Sequence, residues 1–143
     1  MQAQLVRCRQ CGHSSLPSPV GTEFPRCASC GSLLPWIVNA GDENFAEIAE
    51  GAASPVLVDV WAAWSAVCAK ANPALERVAG QLAGQIKLVK VNVEDAPELQ
   101  RRFVVEAVPT LIVLRGTRIL AYRAGAPPEP SLRAWLDQAR TAA

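Results

Sequence analysis

The chain has 143 residues, half of them hydrophobic, and a formal net charge of +1. That is enough apolar sequence for one compact domain with room for a small appendage, and too little charge to select nucleic acid or an acidic membrane as partner. No apolar run is long enough to span a bilayer, and Met1-Gln2-Ala3-Gln4 lacks the basic, apolar, small-residue succession of a secretory leader, so a soluble cytoplasmic protein is expected.

Four of the five cysteines fall in two pairs, Cys8-x-x-Cys11 and Cys27-x-x-Cys30, each followed by glycine. The glycine permits the left-handed turn that aims backbone N–H groups at sulfur. Two such knuckles supply four thiolates for one tetrahedral zinc, and a closed four-sulfur shell is structural rather than catalytic. The alternative, two disulfides, belongs to secreted folds. His13 could be a swapped ligand, but four thiolates already complete the shell. Arg7, Arg9 and Arg26 lie beside the knuckles without interleaved aromatics, which argues against a nucleic-acid module. Between the knuckles runs a loop with Pro17, Pro19, Gly21 and Pro25 and few apolar residues. It cannot bury enough to fold alone, so metal is expected to supply the missing stability. Loss of the metal is then expected to unfold this segment and spare the domain after it, each having its own core.

Beyond Pro35 the apolar pattern becomes regular. Leu33 to Asn39 runs into a short strand. Asp42 is placed to cap a helix carrying Phe45, Ile48 and Ala49. Val56 to Trp61 is a β-branched strand interrupted only by Asp59. A helix is expected from about Ser65 to Ala83, with Leu75, Val78, Ala79 and Leu82 on one face and a kink at Pro73. Ile86 to Val93 is a second central strand, and Pro97 to Phe103 a short helix. Thr110 to Leu114 and Ile119 to Ala124 read as a hairpin, and Leu132, Trp135, Leu136 and Ala139 mark a last amphipathic helix. Alternation first and a hairpin last gives an α/β fold with a mixed central sheet flanked by helices.

The segment Asp59-Val60-Trp61-Ala62-Ala63-Trp64-Ser65-Ala66-Val67-Cys68, placed after a strand and opening a helix, resembles the active-site segment of thioredoxins, written Trp-Cys-x-x-Cys, with serine in place of the first cysteine. With the zinc-ribbon-like module ahead of it, the whole chain resembles the bacterial zinc-containing thioredoxins of the thioredoxin 2 type. The resemblance divides the chain into a zinc module, residues 1–35, and a thioredoxin domain, residues 36–143. It implies thiol–disulfide exchange on protein substrates, recharging by thioredoxin reductase, and a set of matched positions; a monomer is expected. Ser65 stands at the nucleophile position and Cys68 at that of the resolving thiol. Asp59 matches the buried proton acceptor and Lys90 its lysine partner. Trp64, Val108, Pro109 (cis in the family) and Gly125 match the substrate groove.

A serine hydroxyl is hardly ionised at neutral pH and forms no disulfide, so the dithiol cycle is expected to be cut in this chain. Ser65 remains a good helix N-cap, accepting from the N–H of Val67 or Cys68. Either the serine was introduced to disable the nucleophile or the motif has drifted; Ala66-Val67 in place of the family's Gly-Pro, and Ala69 rather than a basic residue after Cys68, favour drift. Asp59 reads either as a carboxylate paired with Lys90 or as the mark of a redox scaffold, since packing alone would favour Val or Ile. Cys68 reads either as an inert half-buried thiol or as a monothiol that forms one mixed disulfide and stops. A redox-silent binding module using the Trp64–Pro109–Gly125 groove is the rival function.

Overall fold

The computed structural model describes residues 5–141, so the Met1–Gln4 stretch read for a leader lies outside the described residues. In chain order the elements are β1 (Val6–Arg7), β2 (Ser14–Ser15), β3 (Ile37–Ala40), a π turn (Ala46–Glu50), β4 (Val56–Trp61), α1 (Ala66–Gln81), β5 (Lys87–Asn92), a 3-10 turn (Val93–Asp95), α2 (Pro97–Arg102), β6 (Thr110–Arg115), β7 (Arg118–Ala124) and α3 (Glu129–Thr141). Strands β3 to β7 make one sheet in the order β3-β5-β4-β6-β7. The first three are parallel, and β6 and β7 are antiparallel to their neighbours. This is the mixed sheet the alternation predicts, and α1 continues through Pro73.

The pleat sorts each strand's side chains between two cores. Val56, Val58 and Val60 of β4 face one cluster with Phe45, Ile48, Leu99 and Phe103. Leu57 faces the other, with Leu75, Val78, Leu132 and Leu136 of α1 and α3. Asp59 shares the parity of Leu57, so its carboxylate turns toward the α1 side. In β5, Val89 and Val91 join the first cluster and Leu88 the second. Lys87 therefore points to the first and Lys90 to the second.

The cysteine segment has no core of its own, contrary to the expectation from sequence. Val6, Cys8, Cys27 and Leu34 are buried in the α1/α3 cluster, and Val20 and Phe24 pack against the other one. Trp36 donates its indole N–H to Ser18 O at 2.9 Å and meets Phe24 edge-on. Lys87, fully buried, donates from Nζ to Pro19 O at 2.6 Å and to Ile48 O at 2.7 Å, with the ammonium 4.2 Å from the centre of the Trp36 ring. A Cβ built on Gly80 of α1 would lie 2.9 Å from Arg9 Cδ, and one on Gly84 2.7 Å from Leu33 Cδ1. The proline-rich loop packs Val20 and Phe24 against the sheet and leaves Leu16 exposed, because it has too few apolar groups to bury against one another.

Asp42 also departs from expectation. No side chain caps the π turn at Ala46–Glu50. The Asp42 carboxylate instead accepts from the N–H groups of Glu98 and Leu99, each at 2.9 Å, and so caps α2 from a distance in sequence. At the other end of α2, Val104 has φ +51°, and Tyr122 Oη donates to the carbonyls of Phe103 and Val104. A β-branched residue in the left-handed region is strained by about 1–2 kcal/mol. Val104 is also 64% exposed, so its side chain returns little by burial. Val104→Gly is expected to raise stability by about 1 kcal/mol after the entropy cost of glycine. Urea unfolding reads this directly, and a lowered midpoint would contradict it.

Candidate functional site

The site is built where β4 hands over to α1. β4 ends at Trp61, and Ser65 takes extended backbone angles (φ −87°, ψ 117°) as the N-cap of α1. Its Oγ accepts the Cys68 N–H at 3.2 Å, one of the two bonds the sequence predicts for it. That bond holds Ser65 inward, at 7% exposure, while Trp64 stands 70% exposed and Val67 59%. Cys68, one turn into the helix, is buried and carries a free thiol. The register pairs Val60 with Thr110 and Thr110 with Ala124, so Trp61, Pro109 and Gly125 come to one end of the sheet. The Val108–Pro109 bond is cis, and Val108 is half-buried. Gly125, at φ +80°, donates its N–H to Pro109 O at 2.7 Å.

Beneath Ser65 and Cys68 lies a cavity of about 370 Å³, lined also by Asp59, Trp61, Asn72 and Lys90. Asp59 is 2% exposed, and its Oδ1 has no hydrogen-bond partner. Burial pushes its pKa up to about 6; the Lys90 charge opposes this rise and the Glu76 charge adds to it. Lys90 sits opposite Asp59 in the β4–β5 register. It is not the ion-pair partner that the sequence suggested. Its ammonium donates to Asn72 Oδ1 and lies 3.4 Å from Glu76 Oε2, and Asn72 Nδ2 donates to the same Glu76 oxygen at 2.8 Å. Lys90 thus acts on Asp59 as a neighbouring charge, held off by two residues of α1. Neither Asn72 nor Glu76 was singled out from sequence. The available signal was spacing: Cys68, Asn72 and Glu76 recur every four residues and share one helix face. A second, wider hollow of about 580 Å³ opens at the carboxyl ends of β3, β4 and β5 and shares Trp61 and Lys90 with the first.

The four paired cysteines form a separate cluster. Each knuckle closes alike: Gly12 N–H donates to Cys8 O and Cys8 N–H to His13 O, as Gly31 N–H does to Cys27 O and Cys27 N–H to Ser32 O. Gly12 and Gly31 take φ +79° and +76°, which suits glycine. The Gln10 N–H points at Cys8 Sγ at 3.4 Å. The four Sγ atoms lie within 4.8 Å of one another, with Cys8–Cys30 at 3.6 Å and Cys11–Cys27 at 3.5 Å. Sulfurs about 2.3 Å from a tetrahedral centre stand close to 3.8 Å apart, so the donor set fits a metal ion. His13 is outside the cluster. No described helix is long and apolar enough to cross a membrane.

The thioredoxin family model matches residues 36–138. The chain is 37% identical over 102 residues to Thioredoxin C-2 of Corynebacterium nephridii, covering 71% of this chain and 94% of that one. It is 35% identical over 101 residues to the thioredoxin of Allochromatium vinosum, covering 71% and 94%. Similarity to Thioredoxin C-3 of Corynebacterium nephridii, at 31% identity, extends over 137 residues and 94% of each chain, and so beyond the residues that the family model matches.

Proposed function

The chain belongs to the thioredoxin family, and on that footing we propose that it is a thioredoxin 2-type protein whose dithiol cycle stops at Ser65, leaving Cys68 as a monothiol. The observation that carries this is the Ser65 hydroxyl itself, which is buried at the helix start and engaged with the Cys68 N–H. Thiol–disulfide exchange needs a sulfur there, exposed enough for in-line attack on a substrate disulfide. The other parts of such a site stand around it: the buried carboxylate Asp59 as proton acceptor, Lys90 as the charge that tempers it, and Cys68. The exposed Trp64, with Val108, Pro109 and Gly125, forms the docking groove for an extended protein segment. The substrate class of the family is a protein disulfide, and thioredoxin reductase is the family's recharging partner. Residues 1–35 form the metal module and 36–143 the thioredoxin domain. Cys8, Cys11, Cys27 and Cys30 would hold one structural zinc, which when bound cross-links the two knuckles. Four reduced thiolates fit the cytoplasm.

Insulin disulfide reduction with dithiothreitol tests this reading, with the chain and its Ser65→Cys variant side by side. The variant is expected to exceed the parent by roughly tenfold or more, because one atom restores the attacking sulfur. A parent chain as active as its variant would overturn the reading. Inactivity of both favours the second reading, a redox-silent binder; the 70% exposure of Trp64 beside the 59% exposure of Val67 supports a docking surface that survives without chemistry.

A further inference from the structure

We propose that the cavity beneath Ser65 is a reaction site for a small hydroperoxide, which oxidises Cys68 to a sulfenic acid. This rests on the monothiol reading and names that thiol's substrate class. About 370 Å³ is room for a small molecule and not for a polypeptide strand. Cys68 is 6% exposed, so a protein disulfide cannot bring a sulfur in line with it, whereas a molecule inside the cavity is already beside it. The cavity wall also carries Asp59, which is 2% exposed and has an unpartnered Oδ1. A buried carboxylate oxygen without a donor is costly, and taking up a proton neutralises it. Lys90 directs two of its three N–H donors at Asn72 and Glu76, and its third is available to a peroxide oxygen.

The chemistry balances with these groups. Asp59 takes the thiol proton. The thiolate attacks the distal peroxide oxygen, an S–O bond forms and the O–O bond breaks. The departing alkoxide takes the proton back from Asp59. The sulfur loses two electrons, the peroxide gains them, and the products are a sulfenic acid and an alcohol, or water from hydrogen peroxide. Ser65 matters here in a second way. A cysteine at that position would condense with the sulfenic acid to a disulfide, and serine cannot. The other four cysteines offer no quick substitute, because the segment that carries them packs near Gly80, roughly 18 Å along α1 from Cys68. Return to the thiol consumes two equivalents of a low-molecular-weight thiol, releasing water and that thiol's disulfide.

The test is dimedone trapping at Cys68, followed by peptide mapping, in the reduced full chain treated with hydrogen peroxide. Cys68 is expected to react about tenfold faster in the folded chain than in the same chain unfolded in urea. Ala69 lines the cavity from an exposed position on α1, so Ala69→Leu narrows it without disturbing a core. That variant is expected to lose most of the acceleration, and Asp59→Asn to lose it with a flattened pH profile. A folded chain no faster than the unfolded one overturns the proposal, as do two variants that both react like the parent. Insulin reduction by the parent chain would sink the monothiol reading separately, whatever the trapping shows.

Discussion

Asp59→Asn is expected to stabilise the chain by about 3 kcal/mol at pH 7.5 and by only about 0.5 kcal/mol near pH 4. The Asp59 carboxyl has its pKa raised from 3.8 to about 6, chiefly by burial. Its folded-state pKa lies above its unfolded one, so between these values the folded state binds the extra proton. The stability tied to that proton is complete below pH 3.8 and is lost as pH rises through about 6. At pH 7.5 the folded chain therefore carries the whole cost of an ionised buried carboxylate, and about 1.4 kcal/mol per pKa unit gives the ~3 kcal/mol. Asparagine keeps the shape and cannot ionise. Urea unfolding of both proteins at pH 7.5 and pH 4 isolates the effect, because they share the cysteine cluster and every other titrating group. Equal midpoints at pH 7.5 would show that water entering the cavity already solvates the charge. A destabilised enzyme-like site is the ordinary cost of keeping a base where chemistry needs it.

Stripping metal from the four-cysteine cluster is expected to destabilise the whole chain rather than the first segment alone. Val6 and Leu34 are buried in the cluster that holds Leu75, Leu82 and Leu136, so freeing the segment uncovers that core. Burial of a Val and a Leu is worth about 3–6 kcal/mol together. Lys87 makes the effect larger. Its ammonium is held by Pro19 O on one side and Ile48 O on the other, and departure of the loop leaves it one acceptor short in an apolar setting. Chelator-treated and untreated protein should both unfold in one transition by tryptophan fluorescence and by far-ultraviolet dichroism, with the treated midpoint lower by an amount equivalent to about 3–6 kcal/mol. Metal content by emission spectroscopy should fall from one zinc per chain to none. An unchanged midpoint after complete metal loss would restore the picture of two independent cores.

Much of the site was legible from residue order. The two Cys-x-x-Cys-Gly knuckles, the strand-to-helix handover at Trp61 to Ser65 and the N-cap bond of Ser65 are each decided within about five residues of chain. Periodicity likewise carried β4, α1, the β6–β7 hairpin and α3. Asp42 caps a helix start other than the one that follows it in sequence, because a capping carboxylate serves whichever helix start comes near, and here that is α2, 56 residues away. Lys90 lies opposite Asp59 and acts on it as a charge, while Asn72 and Glu76 reach its ammonium from α1, contacts that no short stretch of sequence specifies.

Sequence alone thus determined the order of the five sheet strands and of helices α1 to α3, the clustered set of four thiols and the missing sulfur at position 65, because local geometry, helical and strand periods and side-chain chemistry need no partner from afar. Tertiary structure decided the rest. Lys87 and Lys90 are three residues apart in one strand, so the pleat sends them to opposite faces: one to latch the cysteine segment through Pro19 O, the other to the rim of the Asp59 cavity. Which groups meet them there depends on sheet order and helix docking, and those follow from how the whole chain buries its apolar surface, not from any short stretch of it.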